Sequence, residues 1–101
     1  MNNFKTKIKH NLTEAIAELI GKFIVLGEYD LDDKLLMAAL EEVRMKMLKK
    51  MLSPQGKYSF TFSPAQALAL ALWFDDFITV NTTQVGNFLH QISNQVKQQY
   101  I

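Results

Sequence analysis

Between Lys57 and Trp73 the chain reads KYSFTFSPAQALALALW, and the spacing of its apolar residues changes at Ser63-Pro64. Upstream, Tyr58, Phe60 and Phe62 alternate with Lys57, Ser59 and Thr61, a period of two rich in aromatic residues, as in a half-buried strand. Downstream no charge appears until Asp75, and Ala, Leu, Trp and Phe dominate, as in a helix deep in a core. The residues at the switch carry their own signals. Ser63 and Gln66 stand three apart as in a capping box, and Pro64 takes the first helical position, where a missing N–H costs nothing. Strand followed at once by buried helix is therefore the expected local structure.

Three other places read as helix starts of the same kind: Asn11/Glu14, Asp30/Asp33 and Asn81/Gln84, the last flanked by Val80 and Val85 as a hydrophobic staple. In the first helix Leu12, Ala15, Ile16, Leu19, Phe23 and Leu26 share a face, and Gly27 is a natural stop. The second carries Leu36, Leu40, Val43, Met47 and Met51, with acids at its start and bases at its end, which suits the macrodipole. The breaker Ser53-Pro54-Gln55-Gly56 follows it. The third helix, about 64–79, is apolar nearly all round, so it is central in the core or shared with another subunit. The fourth uses Val85, Phe88, Leu89, Ile92 and Val96. Near the N-terminus, Phe4, Thr6 and Ile8 alternate with Lys5, Lys7 and Lys9, which predicts a second ribbon strand, with a helical extension as the other reading.

The expected fold is thus mainly α (α+β): four helices and two short antiparallel strands in the order β-α-α-β-α-α. A single domain over 1–101 is expected, built of half-repeats of about 1–52 and 53–101 in a pseudo-two-fold arrangement. Sliding one half on the other by 52 residues puts Asn11 on Ser63 and Glu14 on Gln66, although identity over the overlap is no better than chance. An isolated two-stranded ribbon is marginal, so the strands are expected to pair with each other or with a second subunit.

Apolar residues make up 49% of the chain and charged ones 21%, in the globular range. Cysteine is absent, which removes disulfide and thiolate chemistry. No apolar stretch approaches the ~20 residues that span a bilayer, and the early sequence lacks the apolar run of a secretory signal. A cytoplasmic protein without membrane contact is expected. Charge is uneven: residues 1–52 hold nine of eleven basic and eight of ten acidic side chains. A second half so poor in charge repels its own copies weakly.

No residue set points to catalysis, to a metal or to a cofactor. His10 and His90 have no partner at metal-ligand spacing. EYDLDD lacks the turn glycine and closing glutamate of a calcium loop. Asp75 and Asp76 are neighbours on a helix, pointing about 100° apart, and do not form a facing acid–base pair. Met37, Met45, Met47 and Met51 lend the second helix adaptable apolar surface, more often used as core filling.

Two functional expectations follow. The first is a non-enzymatic interaction module, self-associating as a homodimer and serving an unidentified protein partner. Leu70, Phe74 and Phe88 are its expected interface, and Leu70→Glu its expected disruption. The second is a small DNA-binding regulator. The strand–helix–helix order resembles, in architecture, the ribbon-helix-helix repressors, whose paired strands present alternate side chains to the major groove. That resemblance implies nucleic-acid contacts at Lys5, Lys7, Lys9, Ser59 and Thr61. The chain departs from that pattern in its acidic connection at Glu28 and Asp30 and in the single lysine of its second strand.

Overall fold

The computed structural model describes residues 3–26, 31–77 and 84–100. Strand β1 (Phe4–Lys9) leads into helix α1 (His10–Leu26) and helix α2 (Leu31–Met51); strand β2 (Lys57–Phe62) leads into helix α3 (Pro64–Phe77) and helix α4 (Gln84–Tyr100). The fold is mainly helical, with one two-stranded antiparallel sheet. The caps expected at Asp30 and Asn81, the Val80/Val85 staple and the stop at Gly27 involve positions outside the described residues.

The two strands pair with each other from Phe4↔Phe62 to Lys9↔Lys57. Alternation sets which face is wet. Phe4, Ile8, Tyr58, Phe60 and Phe62 are buried while their neighbours in sequence are exposed or half-exposed. The Phe60 and Phe62 rings stack at 5.6 Å, nearly parallel. A one-residue slip would turn all of these aromatics to water, so burial holds the register firmly.

The helices form a layer beneath the ribbon. Helix α1 packs on α2, and α3 lies between α2 and α4 while also touching β2. These three neighbours account for much of the apolarity of α3: Ala67, Ala69, Leu70, Ala71 and Trp73 are buried on its different sides. The small alanines let neighbouring backbones come close, and Trp73, fully enclosed, packs near Phe23 of α1 with ring centroids 6.3 Å apart. Its indole N–H is buried with no hydrogen-bond partner among the described residues. In α2 the expected stripe of Leu36, Leu40, Val43 and Met47 is buried.

Two expectations are corrected. Helix α1 begins at His10, so Asn11 lies inside it and, among the described residues, its side chain accepts from the next amide, Leu12 N, at 3.0 Å. Glu14 pairs with His10 instead of closing a capping box (3.7 Å). The reason is the ribbon: the His10 amide donates to the Gly56 carbonyl at 3.0 Å, so pairing across the sheet satisfies what a cap would otherwise satisfy. The buried face of α1 is also rotated from the expected one. Thr13, Ile16, Ala17 and Ile20 form its centre, whereas Leu12, Leu19 and Phe23 flank it. Thr13 is tolerated there because its hydroxyl donates to the Lys9 carbonyl at 2.9 Å.

No helix among the described residues is long and apolar enough to cross a membrane.

Candidate interaction surfaces

Of the three residues expected at an apolar interface, one is enclosed within the chain itself. Leu70 is 2% exposed, part of the chain's own core, because α2 and α4 close over both flanks of α3. Phe74 and Phe88 are half-buried and packed against that core. Among the described residues, the large apolar side chain of α3 that is exposed is Leu72.

A larger apolar surface lies on α2 and on Leu52 just past its end, on the side away from its buried stripe. Leu35, Met45 and Leu52 are 66%, 54% and 82% exposed, and Leu48 is at the margin. Leu35, Ala38, Glu42, Met45, Lys49 and Leu52 are all exposed, at alternating steps of three and four. That is the seam spacing of a coiled coil. The helix therefore carries two apolar stripes, one inward and one outward. Sequence reasoning found the first and missed the second. The signal was present: the apolar residues of α2 do not keep to one side, which a helix with a single buried face has no reason to tolerate.

The outward seam is bordered by a polar network centred on Gln66. The Ser63 amide donates to Gln66 Oε1 (3.0 Å) and the Gln66 amide donates to Ser63 Oγ (3.2 Å), the reciprocal pair expected of the capping box. Gln66 Nε2 then reaches across to Glu42 Oε1 (3.0 Å), and Lys46 Nζ donates both to Gln66 Oε1 (2.8 Å) and to the Thr61 carbonyl (2.7 Å). Lys46 also stands 5.7 Å from the centre of the Phe62 ring. Arg44 pairs with Glu41 at 2.8 Å. These bonds hold the borders of the seam in place.

A second surface is the outward face of the ribbon. The strand register brings Lys5, Lys7, Lys9, Ser59 and Thr61 together there, all exposed, as expected from their alternation. Lys57 joins them opposite Lys9.

Several described side chains with chemical capacity are engaged in contacts within the fold. Tyr58 Oη is hydrogen-bonded to His10 Nδ1 at 2.6 Å and accepts the Gln55 amide at 3.2 Å. Asp75 binds Lys97 at 2.7 Å and accepts from the buried Ser93 hydroxyl at 3.1 Å, tying α3 to α4. His90 sits edge-on to Phe74 at 6.0 Å. Among the described residues no cluster of three or more His, Asp or Glu is disposed to hold a metal ion. No protein-family model matches this chain, and no curated protein or solved structure does.

Proposed function

We propose that this chain is a non-catalytic interaction module that pairs with a second copy of itself through the outward seam of α2. The observation that carries the reading is the run of six exposed positions from Leu35 to Leu52 at coiled-coil spacing. Four of the six are apolar, on a helix already held in shape by its buried side. Such a helix pairs without the ordering cost that makes isolated short helices marginal.

The two charges in the seam select the direction. In a parallel pair Glu42 would meet Glu42 and Lys49 would meet Lys49, and like charges repel. In an antiparallel pair centred between Val43 and Arg44, Leu35 faces the partner's Leu52 and Glu42 faces the partner's Met45. Ala38 then faces the partner's Lys49, which comes within one turn of Glu42. Opposite charges meet and the leucines close both ends. A two-fold axis of this kind buries the same patch on both copies at once.

Sedimentation or light scattering on the full chain tests the reading. About twice the chain mass is expected at micromolar concentration. Leu52→Glu and Met45→Glu should each return the protein to monomer with helical content unchanged. Leu70→Glu should unfold it instead, since that side chain is in the core. A wild-type chain that stays monomeric at several hundred micromolar would sink the proposal.

A further inference from the structure

Of the methionines described, Met45 alone is exposed, at 54%, whereas Met47 is 1% exposed and Met37 and Met51 are half-buried. It is the only sulfur among the six positions of the outward seam, whose other apolar members are Leu35, Ala38 and Leu52. Its side chain lines an open apolar groove with Ala38, Leu48 and Leu52. Glu42 lies three residues before it and Lys49 four after, so both are its neighbours on the helix surface. In the antiparallel pair, Met45 of each copy faces the partner's Glu42 beside the two-fold axis, so one change at this position is felt twice. A thioether is at most a weak acceptor, and the reduced side chain sits beside a carboxylate without conflict.

We propose that Met45 is a site of reversible oxidation and that its sulfoxide separates the two copies, a reading that rests on the α2 pairing. In the step, the thioether sulfur attacks one oxygen of hydrogen peroxide and the O–O bond breaks. Sulfur gains that oxygen and is oxidised by two electrons, while the peroxide is reduced to water. A methionine sulfoxide reductase reverses the change: the oxygen leaves as water and two thiols become a disulfide. The sulfoxide is polar, and its oxygen only accepts hydrogen bonds. Facing Glu42, whose carboxylate also only accepts, it opposes acceptor to acceptor at two places in the pair. Within the single chain the same oxygen has a donor instead, the Lys49 ammonium one turn on. That bond draws Lys49 away from the partner's Glu42, so oxidation weakens the apolar and the charged parts of the contact together. Access sets the order of events. Pairing covers Met45 and dissociation uncovers it, so peroxide acts on the single chain and holds it there. Met47, inside the fold, is spared by its burial.

The test is sedimentation of the full chain before and after brief treatment with hydrogen peroxide, with the oxidised residue located by peptide mass spectrometry. Met45 should gain oxygen first, and more slowly as protein concentration rises through the pairing range. Opposed acceptors at two places should raise the dissociation constant of the pair by about 100-fold. Methionine sulfoxide reductase with dithiothreitol should restore the pair. Met45→Leu should pair with or without peroxide. Met45→Gln, similar in length but polar, should be monomeric untreated. Helical circular dichroism should be unchanged in both variants, because the position is exposed. An untreated wild-type chain that stays monomeric at several hundred micromolar removes the pairing and this inference with it. If the untreated chain pairs, three results overturn the inference alone. One is a Met45-oxidised chain that pairs as tightly as the reduced one. Another is oxidation of Met37, Met47 or Met51 in the folded chain as fast as that of Met45. The third is a Met45→Leu variant that peroxide still separates.

Discussion

The molecule passes twice from strand straight into helix, and it solves the same problem differently each time. At the second passage, from β2 to α3, the orphan amides of the first turn are met locally: Ser63 and Gln66 bond each other's backbone, and Pro64 brings one donor fewer to satisfy. At the first passage, from β1 to α1, His10 donates to Gly56, a residue nearly half the chain away, and Thr13 returns a hydroxyl to the Lys9 carbonyl. One helix start is written in four adjacent residues. The other exists only because the ribbon has closed. The difference teaches that a helix end can be satisfied by the fold as well as by its own sequence, and that only the first kind is visible in advance.

The starts of α1 and α3 also align in a register other than the one their capping motifs suggest. His10 and Pro64, the first helical residues, stand 54 positions apart. With that offset Ile16 falls on Leu70 and Ala17 on Ala71, all four buried, and Leu19 falls on Trp73. A 52-residue offset, which sets Asn11 on Ser63, equates an interior helix position with a true cap.

This contrast can be broken by mutation, with stability read from urea unfolding. The largest effect belongs to the core positions. Trp73→Ala should cost about 3–5 kcal/mol, because the indole is fully enclosed and its removal leaves a cavity. Its counterpart Leu19→Ala should cost less, about 1–2 kcal/mol, since Leu19 is only half-buried. Equal losses at the two sites would mean that α1 is as enclosed as α3.

Next comes Gln66→Ala, which removes the side chain that joins the capping box to Glu42 and Lys46. It leaves the Ser63 amide and those two charges short of a partner, and about 1–3 kcal/mol should be lost. Ser63→Ala removes one bond of the cap and should cost about 1 kcal/mol. The smallest effect is the sharpest check. Asn11→Ala, which by sequence looks like the same lesion, should change stability by less than about 0.5 kcal/mol because that side chain caps nothing. A loss at Asn11 equal to that at Ser63 would erase the distinction between the two passages.

Of the two candidate surfaces, the ribbon face was legible and the helix seam was not. Alternation in Phe4–Lys9 and Lys57–Phe62 assigns each residue to one side of a strand, so the lysines and hydroxyls could be grouped before any contact was known. The partner strand added only Lys57 and the pairing Lys5↔Thr61 through Lys9↔Lys57. On α2 the residues Leu35, Met45 and Leu52 are as apolar as Leu36, Val43 and Met47, and composition does not say which stripe faces inward. Leu70 was misplaced for the same reason: on a helix apolar all round, no periodicity marks the exposed side.

The sequence by itself determined what depends on near neighbours: four helices, two alternating strands, their order and the cap at Ser63-Pro64-Gln66. Period, cap chemistry and chain breakers act over a few residues and are present in any short stretch that contains them. Only the tertiary structure decided how the buried face of α1 is rotated, that Leu70 is core while Leu52 is surface, and how α1 begins. Those outcomes depend on which elements compete to cover a given face, and on a backbone bond from His10 to Gly56 that exists only after β1 has found β2.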